Sequence, residues 1–421
     1  MGDENVIDVL CSFECDGSSV KWDVQEAGIR DALNMPVVAS LNLTTVDVDA
    51  DPGELLGRSC TIEFERGEDI VFYSGIVSGI DDGVVLEGKV SAMVDVTAAV
   101  GLLAQGRQTR VFQNLTVPEI LAEVLESRLA DFDRKVEQRL DRQYPVCEYR
   151  LQYDESNLDF CQRLMEEEGI AYWFEQNGAA ELMVLADDPA AYPEIEGDDG
   201  ALVAFDSTTS VTGRAVVRRI EQHRALRPTK LSLRHYDWTR PTLCIEEEQE
   251  GDDSGDDVDG AALGPVREDF QHDRVPPTLS DYDPDKKAFM AEDAKVQATI
   301  RRECQERDKT TLDGASGVTR FAPGRVFELM KHPHDHLNAK YLLTSVTVSF
   351  TAGVTGGGTY SNGFRAIPAE TPYRPTRQTP KPTVRGIETA TVVGPSKQEI
   401  FTDEHGRVKI QFHWDREGQN D

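Results

Sequence analysis

Three histidines stand at alternating positions in His332-Pro333-His334-Asp335-His336. On a strand, alternate side chains share a face, so three imidazoles at this spacing could hold zinc or nickel. Pro333 breaks the strand that would align them, and no distant fourth ligand announces itself, so the segment is expected to be a polar turn between two strands. The run CIEEEQEGDDSGDDVDG, from Cys244 to Gly260, holds nine acids and no base. Hard cations want oxygen ligands, but no window here has the alternating acids, glycine and distal glutamate of an EF-hand. Like charge at that density predicts a solvated, mobile loop. Glu166, Glu167 and Glu168 could supply the carboxylate of a hydrolase based on an acid pair. They fall at a helix C-terminus, where negative charge opposes the dipole, and are expected to be exposed helix-end acids. Nucleophile and phosphate motifs fail. Gly314-Ala315-Ser316-Gly317 is one residue short of a G-x-S-x-G elbow, Gly356-Gly357-Gly358 lacks the dinucleotide register, and Gly394-Pro395-Ser396-Lys397 is not a phosphate loop. The glycines read as turn residues. Spacing alone nominates no catalytic residue, no cofactor-binding residue and no metal ligand.

The elements that carry these residues are mainly strands. Val37 to Val46, Cys60 to Phe64 and Ile70 to Val77 are β-branched or alternate apolar with polar, and Pro36, Pro52-Gly53 and Gly67 punctuate them. Short strands at this spacing suggest an antiparallel barrel or sandwich. Two helices interrupt them. Thr116-Val117-Pro118-Glu119 is a capping-box start, followed by Ile120, Leu121, Val124, Leu125 and Leu129 on one face. The second helix is capped by Ser156, presents Phe160, Cys161, Leu164 and Met165 to a core, and stops at Gly169. A hairpin follows, with Ile170 to Phe174 turning at Asn177-Gly178 into Glu181 to Leu185. Asp285 to Cys304 is helix-prone, and strands resume at Arg325 to Leu329 and Tyr341 to Phe350. Pro368, Pro372, Pro375, Pro380 and Pro382 mark an extended linker. Beyond it, Glu388 to Gly394 and Val408 to Trp414 look like strands of an unfinished all-β module. The fold class is therefore α+β and mainly β.

Composition narrows the function. The chain has 421 residues with 44 Lys and Arg against 76 Asp and Glu, a formal charge of −32. Binding a polyanion by counterion release needs basic surface, so nucleic acid is excluded as a charge-driven partner, and an anionic membrane surface is disfavoured. The 39% hydrophobic content still provides real cores. The N-terminus MGDENVIDVL is acidic where a secretory signal is basic, and the longest apolar stretch, Ala98 to Ala104, is far below the roughly 20 residues of a membrane span. Export without a cleaved leader and without a stable membrane anchor is the expectation. Seven cysteines without CxxC spacing read as reduced thiols made in a cytoplasm, mostly buried as apolar filler.

Leu151-Gln152-Tyr153-Asp154-Glu155-Ser156, followed by Arg163 through Glu175, strongly resembles the most recognisable block of the VgrG spike proteins of bacterial type VI secretion, relatives of phage tail hub and puncturing proteins. His332-Pro333 with Leu337 to Val346 resembles that family's turn and strand near the end of its hub. Ala390 to Pro395 and Ile400 to Arg416 resemble the opening of its OB-fold module. Phe72 to Val77 is a weaker match. The run from Cys244 to Gly260 is more acidic than the family leads one to expect, the needle that follows the OB fold is not found before Asp421, and nothing supports a fused toxin domain. The resemblance implies a tail-hub-like pair of β-barrels with helical insertions over residues 1–367, a proline-rich linker over 368–386 and the start of an OB-fold over 387–421. It implies a homotrimer that caps a hexameric inner-tube protein and meets a spike-tip protein, baseplate components and possible effector cargo, assembled in the bacterial cytoplasm and secreted by the injection machine. It implies no enzyme and no cofactor. A phage or prophage tail hub of the same fold is the alternative, and a tail-associated cell-wall hydrolase a weaker one.

Overall fold

The computed structural model describes residues 8–86, 88–147, 149–177, 180–196, 200–208, 215–235, 245–250, 266–273, 291–354, 357–395, 401–402 and 406–416. Strands β1 (Leu10–Cys15), β2 (Asp23–Ala32), β3 (Val38–Thr45), β4 (Ser59–Arg66), β5 (Asp69–Leu86) and β6 (Lys89–Thr97) pair in the order β1-β4-β5-β6-β3-β2. All these pairings are antiparallel, and β2 returns to β1 through the Ser12–Asp23 pair, so the six strands close a barrel. Alternation decides what faces in. Cys60, Ile62 and Phe64 of β4 and Val90, Ala92, Val94 and Val96 of β6 are buried, while the residues between them are more exposed.

The excursion between barrels carries two helices among short strands: β7 (Gln108–Phe112), β8 (Leu115–Thr116), β9 (Lys135–Arg139), β10 (Val146–Cys147), β11 (Arg150–Glu155), β12 (Ala171–Asn177) and β13 (Ala180–Ala186). Helix α1 (Val117–Leu129) has the expected reciprocal capping box between Thr116 and Glu119. Helix α2 (Asn157–Glu168) is capped by Ser156, whose hydroxyl accepts from the Asp159 N–H, and ends at Gly169 with φ +69°. Ile120, Leu121, Val124 and Leu125 of α1 and Phe160, Cys161, Leu164 and Met165 of α2 belong to the same buried cluster as the barrel interiors. The hairpin β12–β13 is also as expected, and β9 adds to β13 in parallel. The tip at Gly178 lies outside the described residues.

Strands β14 (Leu202–Ala204) and β15 (Val217–Arg224) begin a second barrel. A small sheet follows, made of β16 (Lys230–His235), β17 (Ile245–Glu250) and β18 (Glu268–Asp273) and packed against α3 (Ala291–Arg307). The barrel resumes with β19 (Thr310–Ser316), β20 (Val326–Met330), β21 (Lys340–Ala352) and β22 (Gly358–Pro368). The path β15-β19-β22-β21-β20-β14 closes where Phe205, just after β14, bridges Val217 at the start of β15. The two barrels share one continuous sheet, because β2 pairs antiparallel with β21 from Glu26–Thr351 to Ala32–Ser345. Phe64 of the first barrel lies edge-on against Phe350 and Tyr360 of the second, with ring centroids 5.8 and 5.4 Å apart.

Two expectations need correction. Helix α3 runs on to Arg307, where the Arg302–Glu306 ion pair at 2.7 Å and the Arg307 guanidinium over the Tyr373 ring support its last turn. Residues 285–290 lie outside the described residues. The acidic run does not begin as a loop. Ile245–Glu250 is a strand, because its partner β16 sets Lys230 2.6 Å from Glu248 and Arg234 3.2 Å from Glu246, so cross-strand cations replace the repulsion read along the chain. Residues 251–260 lie outside the described residues, as do Cys244, Gly356, Ser396 and Lys397. At the C-terminal end, β23 (Ala390–Val393) and β24 (Lys409–Phe412) form one antiparallel pair.

Candidate functional site: a charged clamp under the proline-rich segment

The three glutamates of α2 are the largest departure from expectation. They are buried, with Glu166, Glu167 and Glu168 only 8%, 2% and 1% exposed. Burying three adjacent carboxylates at a helix C-terminus is tolerated only if each is partnered. Glu166 Oε2 accepts from the backbone N–H groups of Gln378 and Thr379, both at 2.9 Å, and its Oε1 accepts from the Thr379 hydroxyl at 2.8 Å. Glu167 lies 3.1 Å from Lys381, 3.4 Å from Arg150 and 3.8 Å from Arg163. Glu168 pairs with Arg142 at 2.8 Å. Burial pushes the Glu167 carboxyl up, but Arg150, Lys381, Arg163 and Arg377 outweigh it and hold the carboxyl below its usual range.

Half of these partners come from the segment after β22. Extended as its prolines require, that segment lies as a strap across the ends of α2 and α3 instead of spanning solvent. Arg374 pairs with Glu303 of α3 at 2.6 Å and donates to the carbonyls of Gly169 and Asp187 at 3.1 and 2.6 Å. It thereby satisfies the Gly169 carbonyl at the end of α2 and the Asp187 carbonyl just after β13. Arg377 donates to the Glu167 carbonyl at 3.0 Å and to Gln297 of α3 at 2.8 Å. Arg307 of α3 returns a bond to the Arg374 carbonyl at 2.7 Å. Below the clamp, Asp187 accepts from the N–H groups of Asp141 and Arg142 and from the Tyr144 hydroxyl. At the far end of the segment, the Tyr153 hydroxyl donates to Glu388 at 2.9 Å, and Trp414 meets the Tyr153 ring edge-on.

This arrangement holds things in place. Each of its carboxylates is held by cations or N–H groups, although Glu168 Oε1 has no hydrogen-bond partner among the described residues, and such ion-paired carboxylates serve as anchors. The described histidine and serine candidates make their contacts elsewhere. His332, His334 and His336 form the expected polar turn between β20 and β21, latched by Asn338, whose side chain accepts from the His332 N–H at 2.8 Å and donates to its carbonyl at 3.0 Å. His332 Nδ1 accepts from the His334 N–H. Among the described residues, no three His, Cys, Asp or Glu side chains are grouped to hold a metal ion. Ser316 lies within strand β19, its hydroxyl donating to Asn362 at 2.6 Å, and Gly314 leaves room for the Phe364 ring. Spacing along the sequence did not mark Arg374, Arg377 and Lys381; the available signal was three bases in a proline-rich stretch of a strongly acidic chain.

Two closed barrels fused through one sheet, with helices inserted between them and a strap leading onward, define a phage-tail hub. The E. coli c3393 protein, described as a component of the type VI secretion system with similarity to bacteriophage T4 tail proteins gp27 and gp5, superposes with a TM-score of 0.69 over 96% of this chain and 89% of its own, at 20% identity. Residues 30–354 match the phage tail baseplate hub (GPD) family, and the chain belongs to that family. It is 32% identical to the Pseudomonas aeruginosa type VI secretion system spike protein VgrG4b over 97% of this chain and 50% of that protein. Against VgrG1b of the same organism it is 30% identical, over 93% of this chain and 51% of the relative. The chain thus spans about half the length of the curated relatives it matches. Among the described residues, no helix is long and apolar enough to cross a membrane.

Proposed function

We propose that the chain is the hub portion of a type VI secretion spike, a mechanical part and not a catalyst. Three copies close into a ring, and their six barrels present six similar surfaces to a hexameric inner tube, which adapts threefold to sixfold symmetry. The observation that carries this reading is the pair of six-stranded closed barrels joined edge to edge by β2 and β21 within one chain of the tail-hub family. Thrust from the tube passes through the continuous sheet and the α2 clamp into the strap, and from there to the β23–β24 module, which we read as the start of an OB fold. Such a spike helps puncture a target membrane and deliver effectors, with a tip protein and baseplate components as further partners. It is assembled in the cytoplasm and exported by the machine itself.

Light scattering of the purified chain, followed by imaging with a hexameric tube protein, tests this. The expected result is a trimer whose ring sits coaxially on the tube. A strict monomer at micromolar and higher concentrations that never engages the tube would overturn the reading.

A further inference from the structure

Strand β1 carries Cys11 and Cys15, and β4 carries Cys60. Cys15 stands directly opposite Cys60 in the antiparallel register. The Asp16 N–H donates to the Ser59 carbonyl at 2.9 Å, which makes Asp16–Ser59 a hydrogen-bonded pair. The neighbouring Cys15–Cys60 pair is therefore of the non-hydrogen-bonded kind. At such a pair both side chains point to one face and the Cα atoms are about 4.5 Å apart, inside the roughly 4.4–6.8 Å span of a disulfide.

Among the described residues, the other thiols are excluded by position. Cys11 faces Phe64 and lies four residues along the strand from Cys15, about 13 Å away. Cys147, Cys161 and Cys304 belong to β10, α2 and α3. Access is asymmetric, as stepwise oxidation requires. Cys60 is buried at 3% exposure, whereas Cys15 is partly exposed and lines an open cavity of about 900 Å³ at the barrel mouth, beside Trp22, Lys21 and Lys89. Burial pushes the Cys15 thiol up to about 11, against the opposing pull of Arg58, and pushes Cys60 higher still. Both sulfurs therefore stay protonated and slow to react in a reducing compartment.

We infer that Cys15 and Cys60 are a built-in modification site, a dithiol that a small disulfide oxidant converts to a cross-strand bridge stapling β1 to β4. The Cys15 thiolate attacks one sulfur of the oxidant and expels the other as a thiolate, forming a mixed disulfide. Cys60 then loses its proton and attacks Cys15 Sγ, expelling the second oxidant sulfur. The two protein thiols lose two electrons and two protons, and the oxidant disulfide becomes two thiols. The staple secures the barrel's N-terminal strand, whose other seam is the single Ser12–Asp23 pair. This inference holds whether or not the spike reading does.

The full chain, fully reduced and freed of reductant, is incubated with oxidised glutathione at mildly alkaline pH, alkylated and mapped by mass spectrometry. The expected product joins the peptides bearing Cys15 and Cys60 and is lighter by two hydrogens. The bridge persists in Cys11→Ser and is lost in Cys15→Ser. Amide exchange in β1 slows at least tenfold on oxidation and recovers with a dithiol. A Cys15 that stops at the glutathione adduct, a bridge through Cys11, or all seven thiols surviving conditions that oxidise the unfolded chain would overturn the inference. Unchanged exchange after bridging would overturn the stapling role. If Cys15→Ser does not fold, the map of the unaltered chain decides.

Discussion

Two buried carboxyls make opposite predictions about pH. Glu167 is held below its usual 4.5 by its cations despite its burial, so its contribution to stability is complete at neutral pH and is lost as the pH falls through 4.5 and below. Glu167→Gln leaves Arg150 buried without its charge partner, while Arg163 keeps Glu155 at 2.8 Å, and should cost about 3 kcal/mol at neutral pH, the low end for breaking a buried pair. In strong acid the penalty should shrink. Asp31 of β2 is raised from 3.8 to about 7 by burial, eased only by the Ala32 N–H, and its Oδ1 has no hydrogen-bond partner among the described residues. The folded state holds that proton more tightly than the unfolded one, so stability is lost as the pH rises from 3.8 to about 7. Asp31→Asn should therefore match the unaltered protein near the lower value and exceed it by about 2–4 kcal/mol above the upper one. Urea titrations across that range separate the two cases by sign.

At the scale of elements, the clamp couples the end of α2 to the strap. Gly169 sits at φ +69°, and an added Cβ would come 2.8 Å from Ile300 Cγ2 and 3.1 Å from Arg374 Cδ. Gly169→Ala should thus cost at least the ~1 kcal/mol of a left-handed alanine and also displace the strap. Arg374→Ala removes the bond to Glu303 and two carbonyl contacts without touching either barrel. It should leave the barrel strands' hydrogen exchange unchanged while exchange and proteolytic cutting over residues 373–386 rise sharply. Equal loss of protection in the barrels would mean that the strap is part of the global fold instead of a separable load path. Helices α1 and α2 were legible from the sequence, because the Thr116–Glu119 box, the Ser156 cap and Gly169 act within one turn of the chain. The clamp was not, since Glu166 meets Thr379 across 213 residues.

For the whole molecule, charge sets the terms of assembly. Each chain carries −32, so closing three into a ring works against long-range repulsion that salt screens over about 8–10 Å. The trimer proposed above should therefore form at lower protein concentration as ionic strength rises from low to physiological, as sedimentation would measure. An assembly that weakens with added salt would point to interfaces built on paired opposite charges. The acids seen so far split between exposed faces and internal pairing, as β17 shows with its cross-strand Lys230 and Arg234.

By itself the sequence determined what depends on neighbours in the chain: the strand-rich class, the two capped helices, the hairpin after Gly169, the polar histidine turn and the resemblance to a spike family. Charge density read along the chain failed for Glu166 to Glu168 and for Glu246 to Glu250, because the environment of a carboxylate is set by whatever packs against it. Only the tertiary structure supplied Arg142, Arg150, Arg377 and Lys381 to the first group and β16 to the second. Barrel closure was likewise a tertiary decision. It depends on β2 meeting both β1 and β21, and Phe205 meeting Val217, pairings whose register arises when remote strands bury alternate side chains in a common interior.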